Sequence, residues 1–125
     1  MNPLIAVMIG GGIGSGLRYL VSQWLVRADS FPMGTLTVNL IGCFLMGIAA
    51  TLFSHLADVS PTLRLAMVIG FLGGFTTFSS FGLDTIKLLD DGRFLLAVTY
   101  VLASNLIGIL AVWVGMKSVR FMVNT

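Results

Sequence analysis

Apolar residues fall into four long runs divided by short polar breaks: Leu4 to Val26, Gly34 to Phe53, Leu63 to Leu88 and Phe94 to Met116. Each reaches the roughly 20 residues that an α-helix needs to cross the hydrocarbon core of a bilayer. The pattern predicts an all-α membrane protein, one four-helix transmembrane domain over residues 1–125. Composition strengthens the reading: 57% of residues are hydrophobic and 10% charged, against about 45 to 50% and 25% in soluble domains. Mean hydropathy is +1.02. The first run is not read as a secretory signal, because it lacks a basic start, exceeds the usual apolar core of about 7 to 15 residues and contains Arg18.

The formal net charge of +2 is scattered over span ends. Phosphate recognition needs basic residues clustered on one face, so no nucleic-acid partner is expected. Four spans place both termini on one side with the 54–62 connection, and the 27–33 and 89–93 connections on the other. Lysine and arginine near span ends set orientation. Here Arg64, Lys117 and Arg120 stand against Arg27, Lys87 and Arg93. The tally favours neither orientation. Either another bias decides, or the chain inserts both ways and pairs as an antiparallel dimer, a single-chain analogue of the inverted repeats of transporters.

Polar residues inside the spans mark where chemistry is expected. GGGIGSG, Gly10 to Gly16, fails the G-x-G-x-x-G register because Ile13, Ser15 and Leu17 fall on required glycines. It does hold three small-xxx-small pairs: Gly10 with Gly14, Gly11 with Ser15, Gly12 with Gly16. Such faces suit close helix packing. Arg18 lies inside the first span, where it either snorkels to the interface or faces a wet, anion-attracting vestibule. Asn39 falls mid-span in the second run, either as interhelical glue or as an amide donor to a crossing anion.

The third run contains GFLGGFTTFSSFG, Gly70 to Gly82, with Gly73-Gly74 as the expected breaking point of its helix. Non-helical backbone at membrane depth persists only when buried in protein or lining a cavity, so a break there implies a site. Its carbonyls suit a small cation and its half-helix N-terminus an anion. Thr76, Thr77, Ser79 and Ser80 can satisfy released backbone groups, and Phe78 and Phe81 share a helical face. Ring edges are electropositive and can line an anion path. Asp84 and Lys87 are spaced to pair, while Asp90 and Asp91 suit a solvated turn. The fourth run adds Tyr100, Ser104 and Asn105.

The chain has no glutamate, and its single histidine, His55, and single cysteine, Cys43, stand apart, which leaves no metal-ligand spacing and no catalytic constellation. The protein is therefore expected not to be an enzyme. A four-span proton-coupled multidrug transporter would need a carboxylate deep in its binding site. The first two spans have none, and Asp84 lies near a helix end. A purely structural subunit of a larger membrane complex would leave the purified protein without ion flux.

Three motifs resemble the Fluc (CrcB) family of fluoride channels: GGIGSGLRY from Gly11 to Tyr19, G-T-L-x-V-N-x-x-G from Gly34 to Gly42, and G-F-x-G-G-x-T-T-F-S-x-F from Gly70 to Phe81. The resemblance implies an antiparallel, dual-topology homodimer in the cell (inner) membrane, with a broken third helix and two pores that export fluoride passively. By motif, Gly73 and Thr76 would give main-chain carbonyls from both subunits to a structural Na+. Phe78 and Phe81 would meet the anion edge-on, Asn39 would be the pore amide, and Thr77, Tyr100 and Ser104 would be polar pore-side residues. Asp84 stands where relatives often carry glutamate. The next hydroxyl expected after Ser104 falls at Gly108, so the donor on that side stays open.

Overall fold

Asn2 and Pro3 set the start of the first helix: the Asn2 side chain accepts from the Leu4 N–H at 2.8 Å, and proline fits the first turn, where its missing N–H costs nothing. The computed structural model describes residues 1–124, and all regular structure among them is helical. Helix α1 is Pro3–Trp24 and α2 is Met33–His55. The third apolar segment comes in two pieces. Its first arm, α3, spans 61–75, with a wider π-helical stretch at Ala66–Leu72. Its second piece, α4, is Phe78–Asp90. Helix α5, Phe94–Val123, carries another π-helical stretch at Ala103–Ile107.

With the third taken end to end over Pro61–Asp90, four helical segments are long and apolar enough to cross a membrane. The last runs past the hydropathy limit at Met116 to Val123. Hydropathy locates the apolar slab, whereas a helix continues as long as its backbone bonds do. Lys117 covers the Trp113 ring, 5.6 Å from its centroid, as the helix leaves the apolar zone.

Glycines set how the helices stack. A Cβ on Gly14 would lie 2.1 Å from the Phe71 carbonyl oxygen, so α1 and α3 touch backbone to backbone. Helices α2 and α5 do the same: a Cβ on Gly47 would meet the Val112 carbonyl at 2.1 Å, and one on Gly115 the Phe44 carbonyl at 2.3 Å. The outward Gly12 and Gly16 meet nothing within 4 Å. Of the small-residue pairs in α1, Gly10 with Gly14 faces the bundle and Gly12 with Gly16 faces away.

Large apolar side chains such as Leu4, Met8, Ile109 and Leu110 point outward, as a lipid-facing surface requires. A small core of Leu88, Ala97 and Tyr100 is packed by Phe31, Leu36, Phe81 and Leu96 at one end of the bundle. There the two connections on that side are tied together. Arg27 pairs with Asp29 at 2.8 Å, the one ion pair among the described residues, and the Arg93 guanidinium donates to the Asp29 main-chain carbonyl. The Arg27 hydrogen bonds and the Phe31 backbone N–H hold the Asp29 carboxyl at about 2, below the usual 3.8. The expected Asp84–Lys87 pair does not form, because the Asp84 carboxylate turns inward to accept from Tyr100.

Candidate functional site

The backbone leaves the helix at Thr76 and Thr77, whose φ,ψ of −90°,159° and −151°,123° are extended. This corrects the expected position at Gly73-Gly74, which is helical through Phe75. Gly74 is glycine for another reason. A Cβ there would stand 2.5 Å from the Gly11 carbonyl oxygen of α1. Close packing, not backbone freedom, fixes that residue.

Two extended residues strand several helical hydrogen-bonding groups, and each has an identifiable fate. In a continuous helix the Thr77 N–H would donate to the Gly73 carbonyl. It donates instead to Asn39 Oδ1 at 2.8 Å, while Asn39 Nδ2 donates back to the Thr77 carbonyl at 3.0 Å. Asn39 thus holds both sides of Thr77 much as a neighbouring β-strand would. Its amide has two N–H groups, and this pairing uses one. Thr76 folds back, with its N–H and hydroxyl both donating to the Leu72 carbonyl at 3.0 and 2.9 Å. Thr77 Oγ1 caps α4 by accepting from the Ser80 N–H at 3.2 Å. That cap takes the N–H that would otherwise serve the Thr76 carbonyl, so Gly73 and Thr76 both lose their helical donors.

Arg18 reaches the same place from α1. Its Nε donates to the Gly74 carbonyl at 2.9 Å, and Ser15 Oγ, one turn earlier, donates to the same oxygen at 3.4 Å. The guanidinium is therefore tied to the interrupted helix. A helix C-terminus carries roughly half a negative charge and an N-terminus half a positive one. Arg18 offsets the first at the end of α3. The second, at the start of α4, is left facing the cleft described next.

A cleft of roughly 280 Å³ opens beside the interruption, lined by Asn39, Thr76, Thr77, Phe78, Phe81 and Ser104 among others. Thr76 is pressed on α2 there: a Cβ on Gly42 would fall 2.1 Å from Thr76 Cγ2. Ser104 Oγ is buried without a hydrogen-bond partner. Phe78 is 82% exposed. It begins a run of rings: Phe78 to Phe81 at 5.6 Å between centroids, Phe81 to Tyr100 at 5.2 Å, and Tyr100 to Phe31 edge-on at 5.8 Å. Tyr100 is fully buried, and its hydroxyl donates to Asp84 Oδ2 at 3.2 Å. Asp84 in turn borders a polar hollow with Ser30, Lys87, Asp90 and Asp91. The rings run from the interruption towards the tied connections.

Asn39, Thr76, Thr77, Phe78, Phe81 and Ser104 therefore share one cleft, and Tyr100 and Asp84 continue from it. Arg18 lies on the α1 side of the interruption, and Gly73 is exposed outside the cleft. Three residues that line or brace this region were noted in the sequence without a role in the site: Ser15, Cys43 and Asn105. Ser15 carried a signal, because it stands three residues before Arg18 on the same helical face. The π-helical turn that carries Asn105 carried none.

Comparison with known proteins bears on this arrangement. The family model described as CrcB-like protein, Camphor Resistance (CrcB), matches residues 5–116. The chain is 45% identical to a protein named Fluoride-specific ion channel FluC from Rhizobium etli over 125 residues, 98% of this chain and 100% of that protein. Proteins of the same name from Hydrogenobaculum sp. and Helicobacter pylori are 43% and 46% identical. They are matched over 92% and 86% of this chain and 94% and 85% of their own.

Proposed function

The chain belongs to the CrcB family, and from that premise we propose that it is a fluoride-selective channel of the cell (inner) membrane, through which fluoride leaves the cytoplasm passively. The observation that carries this reading is the chemistry of the cleft. It is lined by neutral donors and aromatic rings, with no carboxylate among its lining residues. Fluoride is small and strongly hydrated, so a path for it must replace water with close donors while excluding larger anions by narrowness. The second Asn39 N–H, the partnerless Ser104 hydroxyl, the Thr77 side chain and the positive end of α4 supply attraction. The Phe78 and Phe81 ring edges, electropositive by their quadrupole, bridge the stretch between oxygen and nitrogen donors.

The working assembly is an antiparallel homodimer whose second copy closes each cleft. The even charge tally supports it, because neither orientation is preferred. The exposed Phe78 supports it too, because a pore-lining ring needs a facing wall. A structural Na+ fits the broken helix of this reading. Gly73 and Thr76 present carbonyl oxygens deprived of their helical donors, and hard oxygen ligands suit a small hard cation. Bound between two copies, such an ion would add fixed positive charge near the path.

Hydrogen fluoride is a weak acid that crosses membranes undissociated and releases fluoride in a more alkaline cytoplasm. A membrane potential negative inside then drives the anion out through an open pore, at about 2.3 kcal/mol per charge per 100 mV. Export in this way lowers fluoride toxicity with no nucleotide or proton coupling. The test is efflux from proteoliposomes followed with a fluoride electrode after a potassium ionophore is added. Rapid release of fluoride but not chloride is expected. No release from folded, dimeric protein would refute the reading.

A further inference from the structure

We propose that Asn105, on α5, is the second amide donor of the fluoride path. The proposal rests on the fluoride-channel reading and adds a specific ligand to it.

Glycine at position 108 offers no side-chain donor. Gly108 is buried, and a Cβ there would stand 3.4 Å from Cys43 Sγ and 3.9 Å from Leu40 Cδ2, both on α2. The donor on this side must come from elsewhere. Ser104 and Asn105, adjacent on the π-helical stretch Ala103–Ile107, both line the cleft that holds Asn39. Such π-helical turns recur at functional sites.

The two neighbours differ in how they are held. Ser104 Oγ is buried with no partner. Asn105 Nδ2 donates to the Val101 carbonyl at 2.8 Å. That bond fixes the amide against its own helix and uses one of two N–H groups. The other is left open on an exposed residue of an apolar span, where lipid would offer it no acceptor. An anion in the cleft supplies the missing acceptor. Asn39 is built in the same way, with one N–H spent on backbone and one to spare. The path thus has two anchored amides, on α2 and α5, each with a free donor.

The test compares wild type with Asn105→Leu and Asn105→Gln in proteoliposomes, reading fluoride efflux against fluoride concentration and the dimer fraction by size exclusion. Loss of one donor to a charged acceptor should raise the half-saturating fluoride concentration of Asn105→Leu about tenfold or more, with dimers intact. Asn105→Gln, which keeps the amide, should recover most of the flux. In wild-type protein the Asn105 side-chain amide resonance should move on titration with fluoride and stay put with chloride. An Asn105→Leu efflux curve like wild type, or an amide resonance indifferent to fluoride, overturns the proposal. Loss of dimers with normal flux per remaining dimer also overturns it, assigning Asn105 to subunit packing. A wild-type protein that passes no fluoride would instead sink the channel reading on which this one depends.

Discussion

Replacing Asn39 by leucine removes two hydrogen bonds at once, those between its amide and the Thr77 N–H and carbonyl at 2.8 and 3.0 Å. Side-chain hydrogen bonds between membrane helices average about 0.6 kcal/mol and reach about 1.7. Two of them place the expected loss of stability at about 1 to 3.5 kcal/mol, towards the upper end because leucine leaves the Thr77 peptide without partners in an apolar interior. The loss should be read by steric trapping or reversible denaturation in mixed micelles. Efflux of fluoride should fall more steeply than stability, by roughly ten- to a hundredfold, since the free donor disappears and the start of α4 loses its anchor. Asn39→Asp separates the two effects. A carboxylate still accepts from the Thr77 N–H but cannot donate to the carbonyl, so stability should lie between wild type and the leucine variant. Its negative charge faces the anion path, so flux should be at least as low as in the leucine variant. Stability of Asn39→Leu within about 0.3 kcal/mol of wild type, below the weakest effect expected of two such bonds, would refute the clamp. An aspartate variant that conducts well would refute the anion path beside it.

Phe78→Ile and Phe81→Ile should each cut fluoride flux strongly while dimers persist, because apolar bulk stays and the ring edge goes; unchanged flux in both would remove the rings from the path. Gly73 is open within one chain, the nearest atom to an added Cβ being the Val68 carbonyl oxygen at 3.8 Å. Poor assembly or sodium binding of Gly73→Val would therefore point to a second copy or a bound ion, and sodium-independent assembly and activity would count against a cation at that carbonyl. Gly14→Ala should misfold or destabilise the monomer by about 1 to 3 kcal/mol, because its Cβ would press on backbone at 2.1 Å; a normal melting profile would contradict the packing of α1 on α3. The Arg27 hydrogen bonds lower the Asp29 carboxyl from 3.8 to about 2. A depressed folded-state value means stability that is fully present above the unfolded value and lost as pH falls through the folded one. The difference in melting temperature between wild type and Asp29→Asn should thus be flat above about pH 5 and shrink progressively as pH falls from there through about 2.

Hydropathy found the spans because the length of an apolar run is set by bilayer thickness, and Asn39, Phe78 and Phe81 stood out because amides and paired rings are unusual there. The position of the interruption was less legible. Gly73-Gly74 looked like the weak point by helix propensity, but propensity is worth about 1 kcal/mol per glycine and the contact of Gly74 with Gly11 outweighs it. The extended pair Thr76-Thr77 is fixed by Asn39, 38 residues away from Thr77 in sequence, and such a pairing leaves no local mark. The destination of Arg18 was hidden for the same reason, since the carbonyl it caps belongs to another helix. Asn105 was visible as a polar residue in the fourth span, but its place in the cleft follows from how α5 packs against α2 and α4, which no local residue pattern announced.

The path beside Thr76 and Thr77 should select fluoride, and the reversal potential in a planar bilayer reads that selection. With a tenfold fluoride gradient and equal chloride on both sides, current should reverse at the fluoride equilibrium potential, about 59 mV from zero for a univalent ion. It should not move when chloride is made unequal. A reversal potential that follows chloride or pH, or the absence of any fluoride current from intact dimers, would contradict the account.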